Sequence, residues 1–180
     1  DKTTAGTVTL SGTNTYTGLT DVQAGTLILR NGAAIANTAA VRVSGGTLNV
    51  DDNETVGAVT LTGGTISGDS ALTSATDIDA RAGAIEAALQ GAAGLDKTTA
   101  GTVTLSGTNT YTGATTVNAG TLNLNSSLTS SSLVFSGAGT VNVADGASLS
   151  KAVTTTGGTL GKLNFLGNTT VGGAIGGAGA

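Results

Sequence analysis

The chain has 180 residues, 10% charged and 2% aromatic, with 30 glycines, no Pro, Cys, His, Met or Trp, and a formal net charge of −4. Without His or Cys, no Ser-His-Asp or Cys-His triad and no imidazole or thiolate metal site is available. A net-negative chain with 7 Lys and Arg also lacks the basic stripe that displaces counterions from a nucleic acid. It contains no apolar run long enough to read as a membrane helix and no recognisable signal peptide or lipidation motif. Asp1 is not expected to be a natural start, and the chain is expected to be a piece excised from something longer.

The abundant Thr, Ser, Asn, Val, Leu and Gly suit strands and turns, and the lack of Pro suits strands paired on both edges. Residues Asp1 to Gly18, DKTTAGTVTLSGTNTYTG, recur unchanged from Asp96 to Gly113, an offset of 95 residues. A finer period lies inside this one. Glycines preceding a small and then an aliphatic residue stand at Gly6, Gly25, Gly46, Gly64, Gly83, Gly101, Gly120, Gly139 and Gly158, spaced 19, 21, 18, 19, 18, 19, 19 and 19 apart. A period near 20 is the signature of a solenoid. The chain is therefore expected to be one elongated domain, 1–180, with a repeat unit at 1–95 and a truncated second unit at 96–180.

The residue after the marker glycine is Thr7, Thr26, Thr47, Thr65, Ala84, Thr102, Thr121, Thr140 and Thr159, and the next is Val8, Leu27, Leu48, Ile66, Ile85, Val103, Leu122, Val141 and Leu160. Alternation at period two predicts a half-buried strand, and recurrence in every turn predicts stacking: an interior aliphatic column with a Thr ladder outside. A second apolar cluster falls about three residues before the glycine (Val22, Val43, Leu61, Val117, Phe135) and a third about ten after it (Tyr16, Ile35, Val56, Tyr111, Leu128, Leu149). Three short strands per rung predict an all-β parallel β-helix of about nine rungs. At ~4.8 Å per rung the rod is on the order of 43 Å long.

Two segments strain the pattern. Ala80 to Leu95 is rich in helix formers, but its glycines and the fit of Gly83-Ala84-Ile85 to the rung favour a strand. After Gly158, Gly161 and Lys162 fall where an outward and an inward residue belong; a bulge or shifted strand through Leu163 to Leu166 is expected, with Lys162 turned outward.

Candidate chemistry is thin. Asp51, Asp52 and Glu54 are the densest carboxylates and a weak Ca²⁺ candidate, although successive strand residues point opposite ways and a solvated corner is the preferred reading. Asp77 and Asp79 share a strand face. A polysaccharide-degrading site would need a base beside such acids, and only Arg42 and Arg81 are candidates. Thr7 with Thr9, and Thr102 with Thr104, fit a Thr-x-Thr ice-binding face, but Ile28, Asn49, Ser67, Glu86, Asn123, Asn142 and Gly161 interrupt its second column. Asn49, Asn123 and Asn142 are expected to form short amide stacks. Tyr16 and Tyr111 occupy equivalent inward places, and Phe135 and Phe165 are expected in the core.

Gly94 to Asn125, GLDKTTAGTVTLSGTNTYTGATTVNAGTLNLN, resembles the autotransporter-associated β-strand repeat of Gram-negative type V secreted proteins through its LSG, NTYTG and AGTL landmarks. Asp1 to Leu29 shares the resemblance. Asp96 stands where that family usually has Thr, and Thr99 where it has Gly. The end, GGAIGGAGA from Gly172 to Ala180, looks like the entry to a further copy. The resemblance implies a right-handed parallel β-helix in a surface-exposed passenger, outside the cell and anchored in the outer membrane through a C-terminal β-barrel translocator. It implies no catalytic residues and no cofactor. The reading is a non-enzymatic stalk segment. The alternative is an adhesin whose face binds a host surface or matrix ligand, or self-associates laterally or end to end; a polysaccharide-degrading enzyme or an ice-binding solenoid is more remote.

Overall fold

The computed structural model describes residues 1–129, 131–156 and 161–176. Every segment in which Thr alternates with Val, Leu or Ile is a strand, because β-branched residues fit a pleated, half-buried surface. Nine strands stack in one parallel sheet: β1 (Thr7–Leu10), β3 (Thr26–Leu29), β5 (Thr47–Val50), β8 (Thr65–Ser67), β11 (Gly83–Ile85), β14 (Thr102–Leu105), β16 (Thr121–Leu124), β18 (Thr140–Val143) and β21 (Lys162–Phe165). Eight form a second: β2 (Thr20–Val22), β4 (Val41–Val43), β7 (Val59–Leu61), β10 (Ile78–Ala80), β13 (Leu95–Lys97), β15 (Thr115–Val117), β17 (Leu133–Phe135) and β20 (Val153–Thr155). The result is an all-β solenoid with no helix among the described residues. The nine stacked strands of the first sheet are the expected rungs, and they span about 8 turns, ~19 residues apart.

The third wall departs from expectation. Among the described residues it pairs as strands only in β6 (Glu54–Val56), β9 (Ala71–Ser74) and β12 (Ala88–Gln90), and again in β19 (Ser148–Leu149) with β22 (Thr170–Val171). Elsewhere isolated backbone bonds, such as Thr110 N to Leu89 O at 2.8 Å and Thr112 N to Gly91 O at 2.9 Å, hold this wall together. Its Asn, Ser and Gly residues bond locally to the backbone and compete with a continuous ladder.

Leu27, Leu48, Ile66, Ile85, Val103, Leu122 and Val141 are all buried in one core, joined by Leu29, Val50, Leu105, Leu124 and Val143 one pleat further on. Burying each contributes ~1.5–3 kcal/mol. Val8 is the exception: it is 43% exposed, whereas its repeat-mate Val103 is 0%, because β1 has a neighbour on one side only. Leu160 and Thr159 lie outside the described residues. Opposite Val141 and Thr140 stand Leu163 and Lys162, so the strand shifts past Gly161 and Lys162 is turned to solvent.

The register also shifts once in the middle. Ile85 pairs with Ile66 on one side but with Leu105 on the other, and Val103 lies opposite Gly83. A two-residue shift keeps every face, since the side-chain period is two. It divides the Thr ladder into Thr7–Thr26–Thr47–Thr65 and Thr102–Thr121–Thr140.

Candidate functional site

The outer face of the nine-stranded sheet is mostly polar, with Ile28 between Thr9 and Asn49. Beside the Thr runs, Asn142 Nδ2 donates to Asn123 Oδ1 at 2.8 Å and Asn164 Nδ2 to Asn142 Oδ1 at 2.7 Å. This amide ladder gains Asn164, which the Gly158-based alignment hid. Asn49 belongs to no amide stack: the register sets it against Ile28 and Ser67, and its Nδ2 donates to Ser67 Oγ at 3.4 Å.

The outer face of the eight-stranded sheet carries charge. Asp21 is buried and accepts from Arg42 at 2.6 Å, Gln23 at 2.8 Å and Ser44 at 2.9 Å. The Arg42 hydrogen bond, helped by Gln23 and Ser44 against the opposing effect of burial, holds the Asp21 carboxyl down at about 2. A depressed carboxyl stabilises the fold above its ordinary pKa, 3.8, and loses that contribution as pH falls towards the folded value. Lowering the pH from about 4.5 to about 2.5 is therefore expected to cost about 1 kcal/mol through this residue, less than the full shift because Arg42 faces solvent. Urea midpoints at the two pH values should differ less in Asp21→Asn; an equal difference would remove this pairing from the account.

Asp79 accepts from Arg81 and, at 2.8 Å, from Thr98, and Asp77 accepts from Gly94 N at 2.7 Å. Both candidate bases, Arg42 and Arg81, are thus tied to carboxylates. Asp96, in register with Asp79, is pushed up by burial and by the charges of Asp77 and Asp79.

Asp51, Asp52 and Glu54 are not brought together. Asp51 pairs with Arg30 at 2.8 Å and Asp52 accepts from Asn31 N at 2.9 Å. Glu54 is not solvated at a corner, as expected, but buried, where its oxygens accept Ala34 N at 3.1 Å and Ile35 N at 2.9 Å. Strand alternation sends it inward while its neighbours face out.

The two tyrosines also diverge. Tyr111 is 3% exposed and Tyr16 40%, although each hydroxyl bonds the Thr four residues on, Thr115 at 2.6 Å and Thr20 at 2.7 Å. The preceding turn covers Tyr111; among the described residues none covers Tyr16, which with Val8, Leu10, Leu19 and Leu27 lines a cavity of about 380 Å³ at the first rung. Phe135 is buried, but Phe165 is exposed on the last strand of its sheet. The residue that sequence reasoning missed is Lys97, fully buried at 0% exposure. The signal was present: Lys97 alternates in phase with Leu95, as an inward residue must.

A family model described as passenger-associated-transport-repeat matches residues 1–29 and 95–124. No curated protein and no solved structure matches the chain.

Proposed function

We propose that the chain, in which a passenger-associated-transport-repeat family model matches residues 1–29 and 95–124, is a non-enzymatic stalk segment of an autotransporter passenger, held outside the cell by a β-barrel translocator elsewhere in its parent. The observation that supports this is the core: from Leu27 through Leu48, Ile66 and Ile85 to Leu105, Leu124 and Val143 one buried aliphatic column runs unbroken. Around it, Asp21, Asp51, Asp79 and Glu54 are each engaged by a neighbour in the coil. Such a rod offers a protease few loops.

The Thr and Asn face favours a second reading, an adhesive side that meets a host surface, a matrix protein or another copy of the chain through many weak hydrogen bonds. One experiment separates the two. The fluorescently labelled chain is titrated onto host cells and matrix proteins beside a variant that cannot fold. A stalk resists protease and shows no saturable, fold-dependent binding; saturable binding that needs the fold makes the face an adhesin and ends the stalk-only reading.

A further inference from the structure

Lys97 closes β13, and its side chain runs into the apolar interior, stacked between Ala80 and Val117. A buried ammonium is costly unless its donors are satisfied. Its Nζ donates to the carbonyl of Thr99 in its own corner and, at 3.2 Å, to that of Ala119 in the next rung. Lys2 repeats the arrangement, bonding the carbonyl of Thr4 and, at 3.0 Å, that of Ala24. None of these four acceptors lies in a strand.

The surrounding backbone makes room for the ammonium. The path from Lys97 to Val103 is six residues, against three between their partners Ala80 and Gly83, so this corner is enlarged. In the next rung, Gly25 and Gly120 stand at the same offset from Lys2 and Lys97, with φ +65° and +71°, and a Cβ on Gly25 would lie 2.5 Å from Lys2 Nζ. Among the described residues no carboxylate forms an ion pair with Lys97. Asp79 on β10 is the charge that acts on it; Asp96 on its own strand alternates to the outer face, and β15 and the corners at 98–101 and 118–120 have no titratable group.

We propose that Lys97 and Lys2 are buried inter-rung latches: each ammonium ties the corner of the rung that opens a repeat to the corner of the rung that follows. The opening rung closes only when the next has docked, because until then the ammonium lacks its second carbonyl. Opening is therefore concerted over two rungs.

Protonation sets how firmly the Lys97 latch holds. Burial pushes the Lys97 amine below its ordinary value of 10.5, with the Asp79 charge opposing. Between the two values the unfolded chain keeps a proton that the folded chain has lost, so stability rises with pH, tenfold in the folding constant for each unit of depression. The neutral amine still donates to a carbonyl without the cost of a buried charge. Tyr111, pushed up to about 12 by burial, acts in the opposite sense once the unfolded tyrosine ionises near pH ~10, so profiles are compared between wild type and variant at matched pH.

The test uses the 180-residue chain. In amine labelling read by mass spectrometry at about pH 8, Lys97 should react about 100-fold more slowly than the exposed Lys151 and Lys162; labelling at their rate overturns the proposal. In Lys97→Met, hydrogen exchange at Asn118 and Thr121 should quicken about tenfold while the β5–β8 ladder is unchanged, and the alkaline rise in stability should be lost. Unchanged or slower exchange at those amides overturns the latch whatever the pH profile, since a side chain that merely fills space is replaced by Met. Should Lys97→Met not fold, hydrogen exchange alone is read in Lys2→Met at Gln23 and Thr26, where unchanged or slower exchange likewise overturns the latch.

Discussion

Leu122→Asp is expected to unfold the coil around β16, costing at least about 4 kcal/mol, because it removes a buried Leu and leaves a carboxylate with no partner in an apolar column. Leu122 is fully buried between Val103 and Val141. Its neighbour Thr121 is half-buried on the outer ladder, and Thr121→Ser should stay within about 0.5 kcal/mol of wild type. In a solenoid each rung rests on its neighbours, so the damage spreads to β14 and β18 before it reaches β3 and β5. Urea unfolding and limited proteolysis read both effects: the first variant should yield early cuts between about residues 102 and 143, and the second none. Equal tolerance of the two changes would mean that the faces have been assigned the wrong way round.

What the sequence made legible is what every rung repeats. Leu27, Leu48, Ile66, Leu122 and Val141 could be placed inside because alternation and a 19-residue return act on each of them alike. Ala80 to Leu95 resolves as strands β11 and β12 despite its helix-forming composition, since stacking on β8 and β9 outweighs intrinsic propensity. What stayed hidden depends on register or on position in the rod. Val8 and Val103 sit in identical sequences, as do Tyr16 and Tyr111, yet one of each pair is covered and the other is not. No local pattern distinguishes them, because burial here comes from a neighbouring turn.

The polar contacts between rungs were hidden for a related reason. Asn164 joins Asn142 only because β21 pairs with β18 three residues further along than the 19-residue count places it. Lys97 was hidden by its type: a lysine is seldom buried unless it is paired. The hydrogen bonds to Thr99 and Ala119 become visible only when the enlarged corner is set beside the next rung.

Glu54 tests whether such inter-rung bonds hold the third wall together where strands do not. Its partner peptides follow a tight turn in which Asn31 has φ 77° and Gly32 φ 63°, the left-handed pair that Asn-Gly favours. Beyond that turn, Ala34 N and Ile35 N point at the Glu54 carboxylate rather than at a ladder, and both residues are buried. Glu54→Ala should leave two buried donors without an acceptor, at about 1–3 kcal/mol each, for a total of about 2–6 kcal/mol. Glu54→Gln keeps one oxygen and should lose about half as much. The loss should be local: exchange at Ala34 and Ile35 should rise to the level of an exposed loop, while Leu27 and Leu48 stay protected by the β3–β5 ladder. If Glu54→Ala lowers the urea midpoint no more than a surface substitution does, those two amides have water, and the corner at residues 33–35 is not held by the rung above it.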